Sequence, residues 1–154
     1  MGQIIIYTDG GSRNNPGPAG IGVVADLSGL TANLRGNKNK EYQWSQYIGK
    51  ATNNQAEYQA IIFALKKTKA LLGKTKAKKV KILLKTDSQL IASQLEGKYK
   101  LKEKEFFPYF IEIWNLKQDF GEVKFEAVPR EKNKLADKLV NLALDKELNQ
   151  EKLF

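Results

Sequence analysis

The chain has 154 residues, 42% of them hydrophobic, which predicts one domain with a buried core and leaves little room for a second. It contains no cysteine and no histidine, which excludes disulfides, thiolate metal sites and catalysis by imidazole. Its 26 lysines and arginines outnumber 17 acidic residues, for a net charge of +9. That charge favours a polyanionic partner without choosing between nucleic acid, an anionic membrane and the ribosome.

The first third of the chain predicts three strands. Ile4–Thr8 and Ile21–Ala25 are apolar runs, and the loop predicted between them, Gly10–Gly20, is rich in turn residues, as in an antiparallel hairpin. A polar stretch over residues 26–40 follows. Aromatic residues in Glu41–Ile48 predict the third strand.

A helical pattern begins at Asn54, and Gly73 is a suitable stop. Glu57 lies four residues before Ile61, one of the apolar residues that recur at helical spacing. Its side chain therefore projects from the face that the helix buries, where a solvated carboxylate is not expected. This position favours a functional site.

The middle of the chain predicts a fourth strand, Val80–Leu84, which ends before Asp87 and is followed by a short helix, Gln89–Leu95. A segment rich in lysine and aromatic residues, Lys98–Leu116, comes next and is predicted to be helical from Glu105 onward. The residues expected to share one face of that helix are Phe106, Tyr109, Phe110, Ile113 and Trp114.

The last part predicts a fifth strand over Glu122–Val128 and a final helix that opens near Asn133, a suitable N-cap. The residues that this helix turns inward are Ala136, Leu139, Val140 and Ala143. Helical crossovers between the first, fourth and fifth strands make those strands parallel, so the fold class is α/β with a mixed sheet. Ligands of such sheets gather at the carboxyl ends of the parallel strands.

Four acidic residues, Asp9, Glu57, Asp87 and Asp137, each occur in a distinctive phrase. Taken singly, each has a plain structural explanation as a strand exit, a helix start or a helix-face charge. If the fold brings them together, they repel one another unless divalent cations hold them. Oxygen ligands without histidine or cysteine suit Mg²⁺ or Mn²⁺, and two such ions about 4 Å apart form the clamp used in phosphodiester hydrolysis.

The ordered phrases DGGSRNNPGPAG, TNNQAE, TDS and VPREKNKLAD resemble those of type 1 ribonuclease H, and the resemblance extends from Gln3 to about Leu148. It implies a ribonuclease H-like fold, a five-stranded mixed β-sheet flanked by α-helices. It also implies hydrolysis of the RNA strand of an RNA/DNA hybrid, leaving 5′-phosphate and 3′-hydroxyl ends. We therefore expect residues 1–154 to form a single catalytic domain that acts as an endoribonuclease.

The resemblance also implies roles for individual residues. Asp9 matches the ligand that bridges two Mg²⁺ ions, for which Mn²⁺ can substitute, while Asp87 and Asp137 match the ligands that support one ion each. Glu57 matches the residue that helps to hold metal and contacts the ribose 2′-hydroxyl. The residues that match substrate contacts are Gly11, Ser12, Asn15, Asn53, Asn54 and Gln55 for the ribose side and Thr52 for a DNA phosphate. Asn15 as a turn residue and Thr52 as a helix cap are the structural alternatives.

The chain departs from many relatives in two places. It lacks the histidine that they carry in the loop before the last aspartate, and Arg130 or Glu131 is expected to occupy that space, with Arg130 as a substrate-binding candidate. In place of the extra basic helix that some relatives carry, it has a short lysine-rich stretch, Lys98–Lys104.

Other functions remain as alternatives to ribonuclease H. A resolvase-like or integrase-like DNA endonuclease would use similar carboxylates but lacks the DGGS and TNNQAE loops. A non-catalytic nucleic-acid-binding domain would have no reason to keep all four. The N-terminal apolar run is too short for a signal peptide and no stretch approaches a membrane span, so we expect a cytoplasmic monomer whose partner is an RNA/DNA hybrid and not a membrane.

Overall fold

The structure is a computed structural model that describes residues 2–30 and 40–152, with side chains as far as residue 150. Most of the predicted polar stretch over residues 26–40 therefore lies outside the described residues. The elements, in chain order, are β1 (Gln3–Ser12), β2 (Gly17–Asp26), β3 (Glu41–Ala51), α1 (Asn53–Leu72), α2 (Lys74–Ala77), β4 (Lys81–Thr86), α3 (Gln89–Leu95), α4 (Phe107–Lys117), β5 (Glu122–Ala127) and α5 (Lys134–Lys152). Single 3₁₀ turns span Lys104–Phe106 and Arg130–Lys132.

The five strands form one mixed sheet in the order β3-β2-β1-β4-β5. β1, β2 and β3 pair antiparallel, whereas β4 pairs parallel with both β1 and β5. This arrangement confirms the predicted α/β fold with a five-stranded mixed sheet. It also confirms that helical connections join the parallel strands.

The prediction of a long loop over Gly10–Gly20 is wrong. The pairing of β1 with β2 continues to Ser12 opposite Ala19, so the hairpin turn is limited to residues 13–16. The glycines that resemble loop residues in the sequence serve a packing role in the strands. A Cβ on Gly10 would lie 2.3 Å from the backbone of Ala56, so α1 can approach β1 this closely only where the strand has no side chain.

A second close approach brings α5 onto the opposite face of the sheet. A Cβ on Gly22 in β2 would lie 2.1 Å from the carbonyl oxygen of Ala136. The neighbouring Val23 belongs instead to the main core with Ile61 of α1. Because successive strand residues point to opposite faces, α1 and α5 sandwich the sheet.

Helix α4 packs beside α1, with Tyr109 stacked on Tyr58 at a ring-centroid distance of 6.0 Å. The predicted inward face is confirmed for Phe106 and Ile113, which are buried, but it is wrong for Trp114, whose exposed fraction is 56%. Because α1 covers only a narrow stripe of α4, the residue one step beyond Ile113 turns toward solvent. None of the helices in the described ranges has the length and apolar character needed to cross a membrane.

Candidate active site

The predicted convergence of acidic residues is present at the carboxyl ends of the parallel strands. The parallel pairing of β1 with β4 ends at Thr8 opposite Thr86, and Asp9 and Asp87 are the residues that follow. One carboxylate oxygen from each of Asp9, Glu57 and Asp87 lies within 4.8 Å of the others. β1 itself continues past Asp9, so this aspartate lies within the strand and not at its exit as predicted.

Asp137 completes the group. It lines the same cavity, of about 340 Å³, as the other three carboxylates, and its charge contributes to the raised pKa of Asp9. The backbone explains this placement, because Asp9 pairs with Gly22, the point where α5 approaches the sheet at Ala136. Asp137 is the next residue of the helix.

Glu57 is fixed by the start of α1 and by β4. The predicted cap at Thr52 is present as a capping box, in which Thr52 accepts a hydrogen bond from the backbone N–H of Gln55 and the Gln55 side chain accepts one from Thr52 N–H. One turn later Glu57 is buried, with an exposed fraction of 8%. Its Oε2 lies 3.4 Å from Oγ1 of Thr86, which donates to it.

Asn133 links the start of α5 to β1. Its Nδ2 donates to the carbonyl oxygen of Thr8 at 2.9 Å, directly before Asp9, and its own carbonyl accepts from Asp137 N–H at 3.1 Å. The predicted capping hydrogen bond is absent among the described residues, because Asn133 Oδ1 is buried without a partner. Asn133 therefore connects the two chain segments that carry Asp9 and Asp137 without capping the helix through its side chain.

Burial and, to a smaller extent, mutual repulsion raise the pKa values of the carboxylates in the cluster. The pKa of Asp9 is raised to about 7, chiefly by burial; the charges of Asp87 and Asp137 contribute to this rise, while a hydrogen bond with Glu57 opposes it. Burial, followed by the charge of Asp9, raises the pKa of Glu57 well above its ordinary value. The pKa of Asp87 is also raised by burial. Without a cation, the cluster therefore takes up protons at neutral pH.

Among the described residues, Arg130 is the cation that forms an ion pair with this cluster. Its Nε lies 3.9 Å from Oδ2 of Asp87, and its charge partly offsets the effect of burial on the Asp87 pKa. The Arg130 side chain is 87% exposed. It lies in the turn that precedes α5, and a mostly solvated cation compensates buried carboxylates weakly.

The donor set fits divalent metal ions. It consists of hard carboxylate oxygens, two of them from the buried residues Asp9 and Glu57, in a cavity that is open to solvent. Mg²⁺ and Mn²⁺ prefer such ligands, and a cation would offset both the burial and the repulsion that raise the carboxylate pKa values.

The predicted substrate residues fall into two groups. Gly11, Ser12, Asn53 and Arg130 line the cavity with the carboxylates. Within this group Asn53 Oδ1 accepts hydrogen bonds from both the backbone N–H and the hydroxyl of Ser12, at 2.9 and 3.2 Å. The end of β1 and the start of α1 thus form one wall of the cavity.

The residues of the second group either stabilise the backbone at the start of α1 or make no hydrogen bond through their side chain. Thr52 and Gln55 form the capping box, and Asn15 Oδ1 accepts from Asn53 N–H at 2.9 Å, which holds the hairpin turn against the helix start. Asn54 is exposed and makes no hydrogen bond through its side chain within the described ranges. Asn54 therefore remains available to a ligand at the helix N-terminus.

Sequence reasoning missed several residues of the site. Arg13, in the hairpin turn, lines the cavity and forms an ion pair of 2.6 Å with Asp145 of α5. Thr86 contacts Glu57, and Asn141 lines the cavity one helical turn after Asp137. The four-residue spacing on α5 could have indicated Asn141, whereas the Arg13 contact spans 132 residues and no local pattern predicts it.

Known proteins of similar sequence and structure share this architecture. Residues 7–143 match a family profile described as reverse transcriptase-like. A Mycobacterium tuberculosis protein described as bifunctional is 38% identical over 146 residues, which cover 93% of this chain and 36% of that protein. Ribonuclease HI of Halobacterium salinarum is 36% identical over 146 residues, covering 94% of this chain and 65% of its own length. The chain thus spans about a third of the first relative and about two thirds of the second.

A solved structure agrees over nearly the whole chain. The crystal structure of LC11-RNase H1, a protein isolated from compost by a metagenomic approach, in complex with an RNA/DNA hybrid matches with a TM-score of 0.80 at 42% identity. The match covers 94% of this chain and 99% of that one. The mixed sheet, the order of its strands and these matches together show that the chain belongs to the type 1 ribonuclease H family.

Proposed function

We propose that this chain is an endoribonuclease that hydrolyses the RNA strand of RNA/DNA hybrids with divalent metal ions, leaving 5′-phosphate and 3′-hydroxyl ends. The observation that carries the proposal is the convergence of Asp9, Glu57, Asp87 and Asp137 on one cavity at the carboxyl edge of the parallel strands. Residues 1–154 would act as one catalytic domain and as a monomer in the cytoplasm. The similarity to LC11-RNase H1, whose structure contains an RNA/DNA hybrid, supports the choice of substrate.

Asp9, Glu57, Asp87 and Asp137 would hold the ions, with Asp9 central because Glu57, Asp87 and Asp137 all lie close enough to shift its pKa. Two bound Mg²⁺ ions would supply Lewis-acid activation of the attacking water and stabilisation of the leaving oxygen. The chain keeps its own carboxylates fixed through the Thr86 contact to Glu57 and the Asn133 contact to β1.

Recognition of the RNA strand requires a reader of the ribose 2′-hydroxyl, since that group distinguishes RNA from DNA. The wall built from Gly11, Ser12 and Asn53 offers backbone and amide groups beside the carboxylates. Exposed Asn54 extends this wall to the helix N-terminus, where the helix dipole favours phosphate. The roles of Asn15, Thr52 and Gln55 would be to hold Asn53 and Asn54 in position, since their polar groups bond to this segment.

Arg130 would contact a phosphate of the bound strand. Its guanidinium lines the cavity, is mostly exposed and lies close enough to Asp87 to move between the carboxylate and a substrate oxygen. Arginine is suited to this contact because its fork of N–H donors matches phosphate oxygens.

The decisive experiment uses end-labelled substrates of one sequence as RNA/DNA hybrid, duplex RNA, duplex DNA and single-stranded RNA, each with Mg²⁺, Mn²⁺ or EDTA. Cleavage of only the RNA strand of the hybrid, abolished by EDTA, is the expected result. Cleavage of duplex DNA would instead indicate a resolvase-like nuclease. Binding without cleavage in either metal would indicate a non-catalytic domain.

A further inference from the structure

A strongly basic stretch of the chain lies outside the carboxylate cavity. Residues 66–86 contain nine lysines and no acidic residue. Six of these lysines contact a partner in the structure. The contacts are Lys66 to Glu112, Lys69 to Asp119, Lys81 to Glu122, Lys78 to the carbonyl oxygen of Gln118, Lys67 to the ring of Phe63 and Lys85 to the ring of Tyr7.

The other three, Lys74, Lys76 and Lys79, have no such contact. All are exposed, and none has a carboxylate within 4.0 Å among the described residues. They occupy α2 and the turn that follows it, within six consecutive residues. We call Lys74, Lys76 and Lys79 the far lysine patch.

The far lysine patch lies at the end of the sheet where β4 begins, opposite the end that carries the carboxylates. Glu57 is near the start of α1, and the 15 residues from there to Leu72 span about 22 Å of helix before α2 begins. The direction of β4 agrees, because this strand begins just after the patch and ends at Thr86 beside the cavity.

This separation limits what the patch can contact. Nucleotides follow one another at about 3.4 Å along a strand, so a distance of about 22 Å corresponds to roughly six or seven base pairs. The base pairs that contact the carboxylates therefore do not themselves reach the far lysine patch. Any polyanion bound there belongs to another part of the same polymer or to another molecule.

The charge arrangement favours a ligand over simple solvation. Three uncompensated ammonium groups on a short segment repel one another, whereas three of the six neighbouring lysines are offset by Glu112 of α4, Asp119 and Glu122 of β5. Phosphates spaced along a nucleic-acid backbone complement such a group of lysines, and their binding is driven by release of counterions.

We propose that the far lysine patch binds the phosphate backbone of a nucleic-acid segment other than the one at the carboxylates. The patch would hold the protein on a long polymer between cleavage events, in the way that a second binding module raises effective concentration. The choice of nucleic acid as the partner rests on the proposed function. The existence of a polyanion site rests on the patch alone.

The binding test compares the wild type with K74Q/K76Q/K79Q, and K74R/K76R/K79R serves as the charge-preserving control. The probe is a long DNA duplex in EDTA, and anisotropy is followed over a range of salt concentrations. We expect the glutamine variant to bind about tenfold more weakly than the wild type. Its plot of log K against the logarithm of salt concentration should be less steep by about 2–3, and the arginine variant should stay close to wild type in both. Equal affinity and slope for wild type and glutamine variant would overturn the proposal.

The activity test compares a hybrid of about 10 base pairs, roughly 30 Å long, with the same hybrid flanked by long DNA arms. The glutamine variant should keep kcat and KM on the short hybrid but show a higher KM on the flanked one. An equal loss on both substrates would place the lysines in the ordinary substrate site and overturn the proposal.

The two hypotheses fail in different ways. If the wild type cleaves no hybrid, the proposed function is wrong, while the DNA-binding comparison still decides the role of the patch. Binding to anionic lipid vesicles that the glutamine variant loses, with DNA affinity unchanged, would assign the patch to a membrane surface instead.

Discussion

The burial of Asp9, together with the repulsion from its neighbouring carboxylates, predicts that Asp9→Asn stabilises the metal-free protein. Asp9 is buried, with an exposed fraction of 6%, and its pKa is raised from 3.8 to about 7. A shift of about three units corresponds to about 4 kcal/mol of unfavourable free energy for the ionised form, at about 1.4 kcal/mol per unit. The amide loses some hydrogen bonding, so we expect a gain of about 2–4 kcal/mol, or roughly 5–15 °C in Tm.

The pH dependence follows from the direction of the shift. Because the pKa of Asp9 is higher in the folded state than in the unfolded state, its favourable contribution is complete below about pH 4 and is lost as pH rises through about 7. The stability of the D9N variant does not fall in this way as pH rises, because its amide does not titrate. The difference in Tm between D9N and the wild type should therefore be clearly smaller at pH 5 than at pH 8.5.

The assay is thermal unfolding in EDTA at both pH values, followed by circular dichroism. Glu126→Gln, a change at an exposed position of β5, is the control and should behave like wild type at both. Adding Mg²⁺ should raise the Tm of the wild type more than that of D9N, because the ion replaces the proton. If D9N is less stable than the wild type at pH 8.5 in EDTA, or if the difference does not depend on pH, the electrostatic reasoning is wrong.

Four further outcomes are expected. Asp87→Asn should lower kcat on the hybrid at least about a hundredfold without lowering Tm, which steady-state kinetics and unfolding check together. Arg130→Ala should raise KM several-fold with kcat and Tm nearly unchanged, and an unchanged KM would remove it from the substrate site. Gly22→Ala should cost about 1–3 kcal/mol and reduce activity, because its Cβ meets the Ala136 carbonyl at 2.1 Å. Metal affinity measured by calorimetry should fall by up to about tenfold per pH unit below 7, since protons compete for Asp9.

The sequence predicts the mixed sheet and the inward face of α1 because both follow from local hydrophobic patterns. Asp9 and Asp87 were expected at neighbouring strand ends, and Glu57 on a buried face, and the structure places all three within 4.8 Å. Asp137 differs, because its distance from the others depends on how α5 crosses the sheet. Local patterns carry no information on that crossing, and only the family resemblance indicated it.

The errors have one physical origin, which is that composition does not distinguish a residue that forms a turn from one that permits packing. Gly10 and its neighbours have the composition of a loop, yet they lie in paired strands that α1 and α5 approach closely. The amide of Asn133 resembles a helix cap, yet it donates to a strand 125 residues away in the chain.

These same positions build the site. The helices that carry Glu57 and Asp137 can reach Asp9 only because Gly10 and Gly22 leave no side chain in their way. A larger residue at either glycine would move one carboxylate away from the others while leaving all four in the sequence. The carboxylates alone are therefore an incomplete signature of a metal site on this fold, and the glycines opposite the two helices are as informative about whether the ligands can meet.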